Sequence, residues 1–197
     1  MPKIVDKIEK RKNIAKSTCN LFIQDGFVNI SISQIAKVAG IGKGTIYEYF
    51  KNKEDILFEL MSCLQEDYDP KLEYNLQQTT SVKQKIIFLF NLFLDDIETI
   101  KIQRKIYREF LAIYLNNPSD DIIEYHKVLK EKYSVVLTKI IEESIKKDEI
   151  LEISLKFIPS IFATVEGFFI VNENCKDKIL DYIENLFILL NKKEGKS

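Results

Sequence analysis

Two short helical registers, back to back between residues 31 and 50, stand out in the hydrophobic pattern of the chain. Ile32, Ile35, Ala36 and Ala39 recur at i, i+3, i+4 and i+7, the spacing that lines one face of an α-helix. Ser31 stands ahead of them as an N-cap. Gly40-Ile41-Gly42 interrupts the pattern, and a glycine pair takes the positive φ that ends one helix and starts another at a steep angle. The stretch 43–50 keeps Ile46 and Phe50 for a core and leaves Lys43, Thr45, Tyr47 and Glu48 facing outward. Helix, glycine turn and helix with a polar outer face is the helix-turn-helix arrangement, in which the second helix lies in the major groove of DNA.

The same period organises the rest. Residues 3–25 predict a first helix with Ile8, Ala15, Cys19 and Phe22 on one face and Gly26 as its stop. Its start carries Lys3, Lys7, Lys10, Arg11 and Lys12, a basic cluster expected to approach phosphates. Glu54 and Asp55 mark the first turn of a helix from residue 53 that is expected to end near Asp69-Pro70. That helix is the only covalent route from the head to the rest of the chain. Further helices are predicted over 81–100, 102–115, 119–147, 152–172 and 175–191, the last two being the most apolar and separated by Asn172-Glu173-Asn174. The expected fold is all-α with about nine helices: a three-helix helix-turn-helix head, residues 1–53, and a six-helix body, residues 54–197.

Composition supports this layout. Six glycines and four prolines in 197 residues, against abundant Leu, Ile, Glu and Lys, suit helices with short connections. A net charge of −1 argues against nucleic-acid binding only if it is spread evenly. It is not: through residue 53 there are 10 basic and 4 acidic residues, net +6, and beyond it 19 basic and 26 acidic, net −7. Cys19, Cys63 and Cys175 form no CxxC pair and no leader precedes the first helix, which points to a reducing cytoplasm and incidental thiols. Cys175 lies near a helix start, where a thiolate is favoured. The longest apolar tract, 157–171, contains Pro159, Glu166 and Gly167 and falls short of the about 18–20 residues of a spanning helix, so no membrane segment is expected.

The run Ile35-Ala36, Ala39-Gly40-Ile41, Lys43-Gly44-Thr45-Ile46-Tyr47 and Tyr49-Phe50-Lys51-Asn52-Lys53-Glu54-Asp55 resembles the N-terminal domain of the tetracycline-repressor (TetR) family of bacterial regulators. The motif covers about a quarter of the chain, and beyond it only length and helical character fit the family. Gly42 departs from the pattern, because family members often carry a capping serine there. The resemblance implies a homodimer that reads palindromic half-sites in double-stranded DNA, with Tyr47, Tyr49 and Lys53 gripping phosphates and Ser31 and Ser33 joining them from the preceding helix. Gly44 lets the helix N-terminus press against the backbone, where free N–H groups bind phosphate. Lys43 and Thr45 then face base edges, Lys43 toward guanine and Thr45 through its hydroxyl or methyl. The resemblance also favours a four-helix dimer seam made by the last two helices.

An unknown small effector is expected in a largely apolar body cavity. Phe90, Phe93, Tyr107, Phe110, Tyr114, His126, Tyr133 and Glu166 are its candidate wall, although periodicity does not separate wall from core. Glu166, inside the apolar stretch 162–169, must be paired, protonated or exposed; pairing with an Arg or Lys across a dimer ranks first and a cationic effector second. A single histidine excludes a two-histidine metal centre, Gly40 to Thr45 fits no phosphate-loop pattern, and no nucleophile comes with a base. No metal, no cofactor and no enzyme activity are expected. The reading is a DNA-binding repressor released from its operator by a small apolar effector, the alternative a ligand-independent DNA-binding or scaffolding protein whose body contacts a protein partner.

Overall fold

The protein is described by a computed structural model over residues 7–116, 118–171 and 174–192. Among these residues every extended regular element is helical, and the only strand-like pairing is one antiparallel bridge between Ile150 and Asn191. Two compact units form: one takes the chain up to Asp69 with Glu98–Ile123, the other Pro70–Ile97 with the chain from Glu124 onward.

The first unit opens with α1 (Lys7–Ser17) and α2 (Cys19–Asp25) in place of the single helix expected over 3–25. Lys3 lies outside the described residues. Thr18 causes the break: its hydroxyl and its N–H both turn back to the carbonyl of Ala15, and Ser17 likewise donates to Ile14, a competition that bends helices. Ala15 is buried as expected, but Ile8, expected on the same face, is exposed and Ile14 is buried instead. α3 (Ile32–Val38) and α4 (Lys43–Tyr49) follow. α5 (Lys53–Gln77) does not stop at Asp69-Pro70 but continues through Pro70. An interior proline costs about 3 kcal/mol through a lost hydrogen bond and a clash with the preceding turn. Tyr68 and Leu72, buried on either side of it, offset that cost. α8 (Glu98–Asn116) completes the unit, with Ile106 and Phe110 fully buried.

In the second unit, the helix expected over 81–100 is two: α6 (Val82–Leu89), N-capped by Ser81, and α7 (Asn91–Leu94). Asp95 ends the run by accepting from the N–H of Ile97 in an Asx-type turn, so Ile97 is exposed and α8 starts earlier than predicted. α9 (Asp120–Lys146) agrees with expectation and ends in a Schellman motif, with Asp148 N–H to Ile145 O and Glu149 N–H to Ser144 O. Asp148 takes the left-handed φ of 59° that this motif needs. A 3₁₀ stretch, Glu152–Phe157, precedes α10 (Ile158–Val171) where one helix was expected, because Pro159 has no N–H to carry an α ladder across the junction. α11 (Lys176–Leu190) follows; of the expected breaker, residues 172 and 173 lie outside the described set.

Phe110 is in ring contact with Phe58, Tyr107 and Tyr114, at centroid distances of 6.5, 6.1 and 6.5 Å. Phe110→Ala therefore leaves a cavity at the centre of an aromatic cluster and is expected to cost about 3–5 kcal/mol in urea unfolding; a loss below about 1 kcal/mol contradicts this packing.

Candidate nucleic-acid interface

The α3–α4 pair is shaped by one glycine. Gly40 adopts φ +66° in a Schellman motif, donating to Lys37 O while Ile41 N–H reaches Ala36 O. Gly42, expected to share that role, has φ −70° and ψ 149°, an extended N-cap geometry open to any residue. Its lack of a side chain leaves α4 uncapped. α3, in contrast, starts with a full capping box: Ser31 Oγ accepts from Gln34 N–H, and the Gln34 side chain accepts from Ser31 N–H. The Ser-x-x-Gln spacing carries that signal, but the apolar pattern does not mark Gln34.

Ile35, Ala36, Ile46 and Phe50 are buried, so α4 turns its other side out. Lys43, Gly44 and Ser33 are exposed, Thr45 and Tyr49 are half-buried, and Tyr47 is 54% exposed although it is a large aromatic. These six residues and Ser31 stand on one contiguous piece of chain. Lys53 does not join them. Its ammonium donates to the carbonyls of Phe27 at 2.7 Å, Val28 at 3.3 Å and Ile30 at 2.8 Å, and sits 4.4 Å from the Phe27 ring centroid. Burial lowers its pKa, with partial compensation from Glu54.

Arg11, expected with the phosphate-facing basic cluster, is also turned inward. Its guanidinium donates to Asp55 and at 2.6 Å to Glu59, both on α5, and to the carbonyl of Tyr49 at the end of α4, while stacking 4.3 Å from the Phe50 ring. Desolvation works against its charge, yet the hydrogen bonds and Coulomb attraction of Asp55 and Glu59 prevail and raise its pKa. Lys12 pairs with Glu66. Asp55 in addition accepts from Lys51 N–H, and Asn52 caps α5 through Asp55 N–H. A second support was invisible to the sequence: Glu109 on α8 accepts from Phe27 N–H at 2.7 Å, and Gln103 donates to Leu64 O. The covalent link through α5 is thus accompanied by a packed one through α8.

The body candidates are shared between the two units. Tyr107, Phe110 and Tyr114 belong to the first unit's cluster; Phe90, Phe93, His126, Tyr133 and Glu166 belong to the second unit. There Phe90 meets Phe162 at 5.3 Å and Phe93 meets Phe169 at 5.0 Å. Glu166 is paired, but within its own chain and not with a cation across a dimer: it bonds His126 Nε2 at 3.0 Å and Lys130 at 3.2 Å. None of the eight lines the second unit's described cavity, a space of about 20 Å³ walled by Val82, Ile86, Ile141, Ile161 and Ile183 with Ser154. Cys175 is buried, with its thiol 3.9 Å from Phe93 O, and burial raises the thiol pKa of Cys19 and Cys63. Among the described residues no group of three or more His, Cys, Asp or Glu is placed to hold a metal ion.

A capped helix, a Schellman turn and an outward-facing second helix make a helix-turn-helix. Residues 14–60 match the family model of bacterial regulatory proteins, tetR family. The fatty acid metabolism regulator protein of Bacillus subtilis is 32% identical over 85 residues, 43% of this chain and 44% of that protein. A probable HTH-type transcriptional regulator of the same organism, YttP, is 29% identical over 152 residues, 76% of this chain and 71% of its own. The chain thus spans only about half the length of the first of these relatives. Among solved structures, a TetR-family regulator from Cytophaga hutchinsonii aligns with a TM-score of 0.77 at 18% identity over 97% of this chain and 99% of that one. A transcriptional regulator from Saccharomonospora viridis in complex with choline aligns at 0.74 and 18%, over 94% and 99%. These structures share the whole fold, a helix-turn-helix head followed by a helical C-terminal part.

The two turn glycines are expected to behave oppositely. Gly40→Ala, forced to positive φ, should lose about 1 kcal/mol or more. At Gly42 an added Cβ meets only Thr45 Oγ1, at 3.7 Å, so Gly42→Ser should gain a few tenths of a kcal/mol as a cap. Thermal unfolding of both variants checks the pair, and equal losses contradict the assignment of the turn.

Proposed function

We propose that the protein is a homodimeric, cytoplasmic transcriptional regulator, a repressor that leaves its operator when a small molecule binds the body. The observation that carries the reading is α4, seven residues with one buried side chain and every other one turned at least partly outward, seated behind a capped α3. Residues 1–53 serve as the DNA-binding domain and 54–197 as the effector and dimerisation domain. Lys43 and Thr45 read base edges from the N-terminal end of α4, Gly44 allows close approach, and Ser31, Ser33, Tyr47 and Tyr49 contact phosphate.

Dimerisation through α10 and α11 is supported by what those helices leave uncovered. Ile170 (40%), Val171 (76%), Ile188 (48%) and Leu189 (74%) are exposed opposite a fully packed inner face. Ala163 and Gly167 extend the same side of α10 at helical spacing. Glu152–Val171 is longer than the apolar tract read from the sequence, and by length and composition it meets the requirement for a membrane span. Glu166 nonetheless sits in an ion-pair network on that segment, so a second copy of the chain is the better partner for its apolar side.

An effector acts here by population shift, binding one arrangement of the body better than another. A cavity of about 20 Å³ holds roughly one water, so a larger ligand selects a more open arrangement. Choline occupies the Saccharomonospora neighbour. In this chain a cationic effector competes with His126 and Lys130 for Glu166, which favours a neutral, apolar one.

Two experiments test the reading on a duplex selected from a random-sequence pool by the wild-type protein. Lys43→Ala is expected to lose about 1–3 kcal/mol against the preferred base and relax preference there, whereas Tyr47→Ala weakens all sequences alike; equal, sequence-blind losses overturn the division of roles. Leu189→Asp is expected to convert a dimer into a monomer in sedimentation equilibrium and to weaken DNA binding more than tenfold. An unchanged dimer assigns the seam elsewhere.

A further inference from the structure

The loop between α2 and α3, residues 26–30, carries no regular structure, yet the position of α3 depends on it. It is gripped from two sides. On one side Glu109 accepts from Phe27 N–H, and Gly26, at φ +74°, brings the backbone so near that a Cβ there would stand 3.4 Å from the Glu109 carboxylate. On the other, the Lys53 ammonium donates to the carbonyls of Phe27, Val28 and Ile30. An ammonium has three hydrogens, and three acceptors use all of them. The cation also lies over the Phe27 ring, whose face attracts positive charge. Phe27 and Ile30 are themselves buried, so both ends of the gripped segment are packed. The capping box of α3 begins one residue after the last of these carbonyls.

We infer that Lys53 is a positioning residue for the DNA-reading helices, fixing the α2–α3 loop through its carbonyls, and not a phosphate ligand. This rests on the DNA-binding reading above and revises one residue within it. Lysine suits the task because a compact ammonium fits a point where three carbonyls converge. A guanidinium is a wide planar fork that donates in fixed directions and does not reproduce that geometry. A phosphate ligand has the opposite tolerance, since arginine binds phosphate at least as well as lysine.

That difference makes the test. Lys53→Arg and Lys53→Met are compared with wild type by amide hydrogen exchange of the free protein, and by the salt dependence of binding to the duplex selected by the wild type. The expected result is faster exchange at residues 27–34 in both variants, at least tenfold weaker DNA binding in both, and a slope of log K against log salt equal to that of wild type. A phosphate ligand predicts something else: wild-type binding by Lys53→Arg, a slope reduced by about 0.9 in Lys53→Met, and unchanged exchange in both. Either unchanged exchange or full activity of Lys53→Arg overturns the inference. If Lys53→Met unfolds altogether, Lys53→Arg decides alone. If the wild type binds no duplex, the regulator reading fails, while exchange of the free protein still decides the role of Lys53.

Discussion

The placement of α4, the second helix of the helix-turn-helix, depends on one guanidinium. Arg11 reaches from α1 to two carboxylates a turn apart on α5 and to the last carbonyl of α4, with its face on Phe50. Helix α4 has seven residues, too short to hold itself together in water. Its C-terminal carbonyl is one of the groups a helix leaves unsatisfied, and a cation there also complements the negative end of the helix dipole. Because the side chain is about a quarter exposed, the pair is partly desolvated without being stranded, and it retains the directional strength of charged hydrogen bonds. Without it, α4 keeps Ile46 and Phe50 as anchors but loses the groups that fix its exit.

Much of this was legible in the chain, and what was not has a common cause. Periodicity finds the buried face of a helix, so Ile35, Ala36, Ile46, Phe50, Ile56, Leu57 and Leu60 all fall where the spacing puts them. It assigns every charge to the outside. Arg11 therefore reads as part of a basic cluster, and Lys53 as a phosphate grip, because no local pattern distinguishes a lysine facing DNA from one facing carbonyls. Glu109 is 82 residues from its partner Phe27, a separation over which sequence spacing carries no signal. Helix ends fail differently. Pro70 reads as a stop but is tolerated within a packed helix, whereas Asp95, an ordinary acid, ends one by folding its carboxylate onto Ile97 N–H.

The body illustrates why an apolar pattern does not locate a ligand site. Phe90, Phe93, Tyr107 and Phe110 lie at helical spacing and are buried, with Phe90 against Phe162, Phe93 against Phe169 and Tyr107 against Phe110. The small space that does occur is lined by branched aliphatic residues whose spacing is no different. Ser154 alone breaks the apolar wall, and its buried hydroxyl has no protein partner. Polarity, in contrast, was informative: a carboxylate in the midst of aromatic residues called for a cation, and Lys130 supplies it while His126 adds a hydrogen bond.

The ordinary backbone of Gly42 has a consequence for how such a head can change. The turn is set by Gly40, the corner by Ile41, and the anchoring by residues that all point inward; the side chains of α4 that point outward share no position with these sets. Stability and recognition are thus written in separate letters along the consecutive residues 40–50. A library that randomises positions 42, 43, 45 and 47 while holding the others would sample new binding preferences on an intact scaffold, so the head can drift in what it recognises long before it fails to fold.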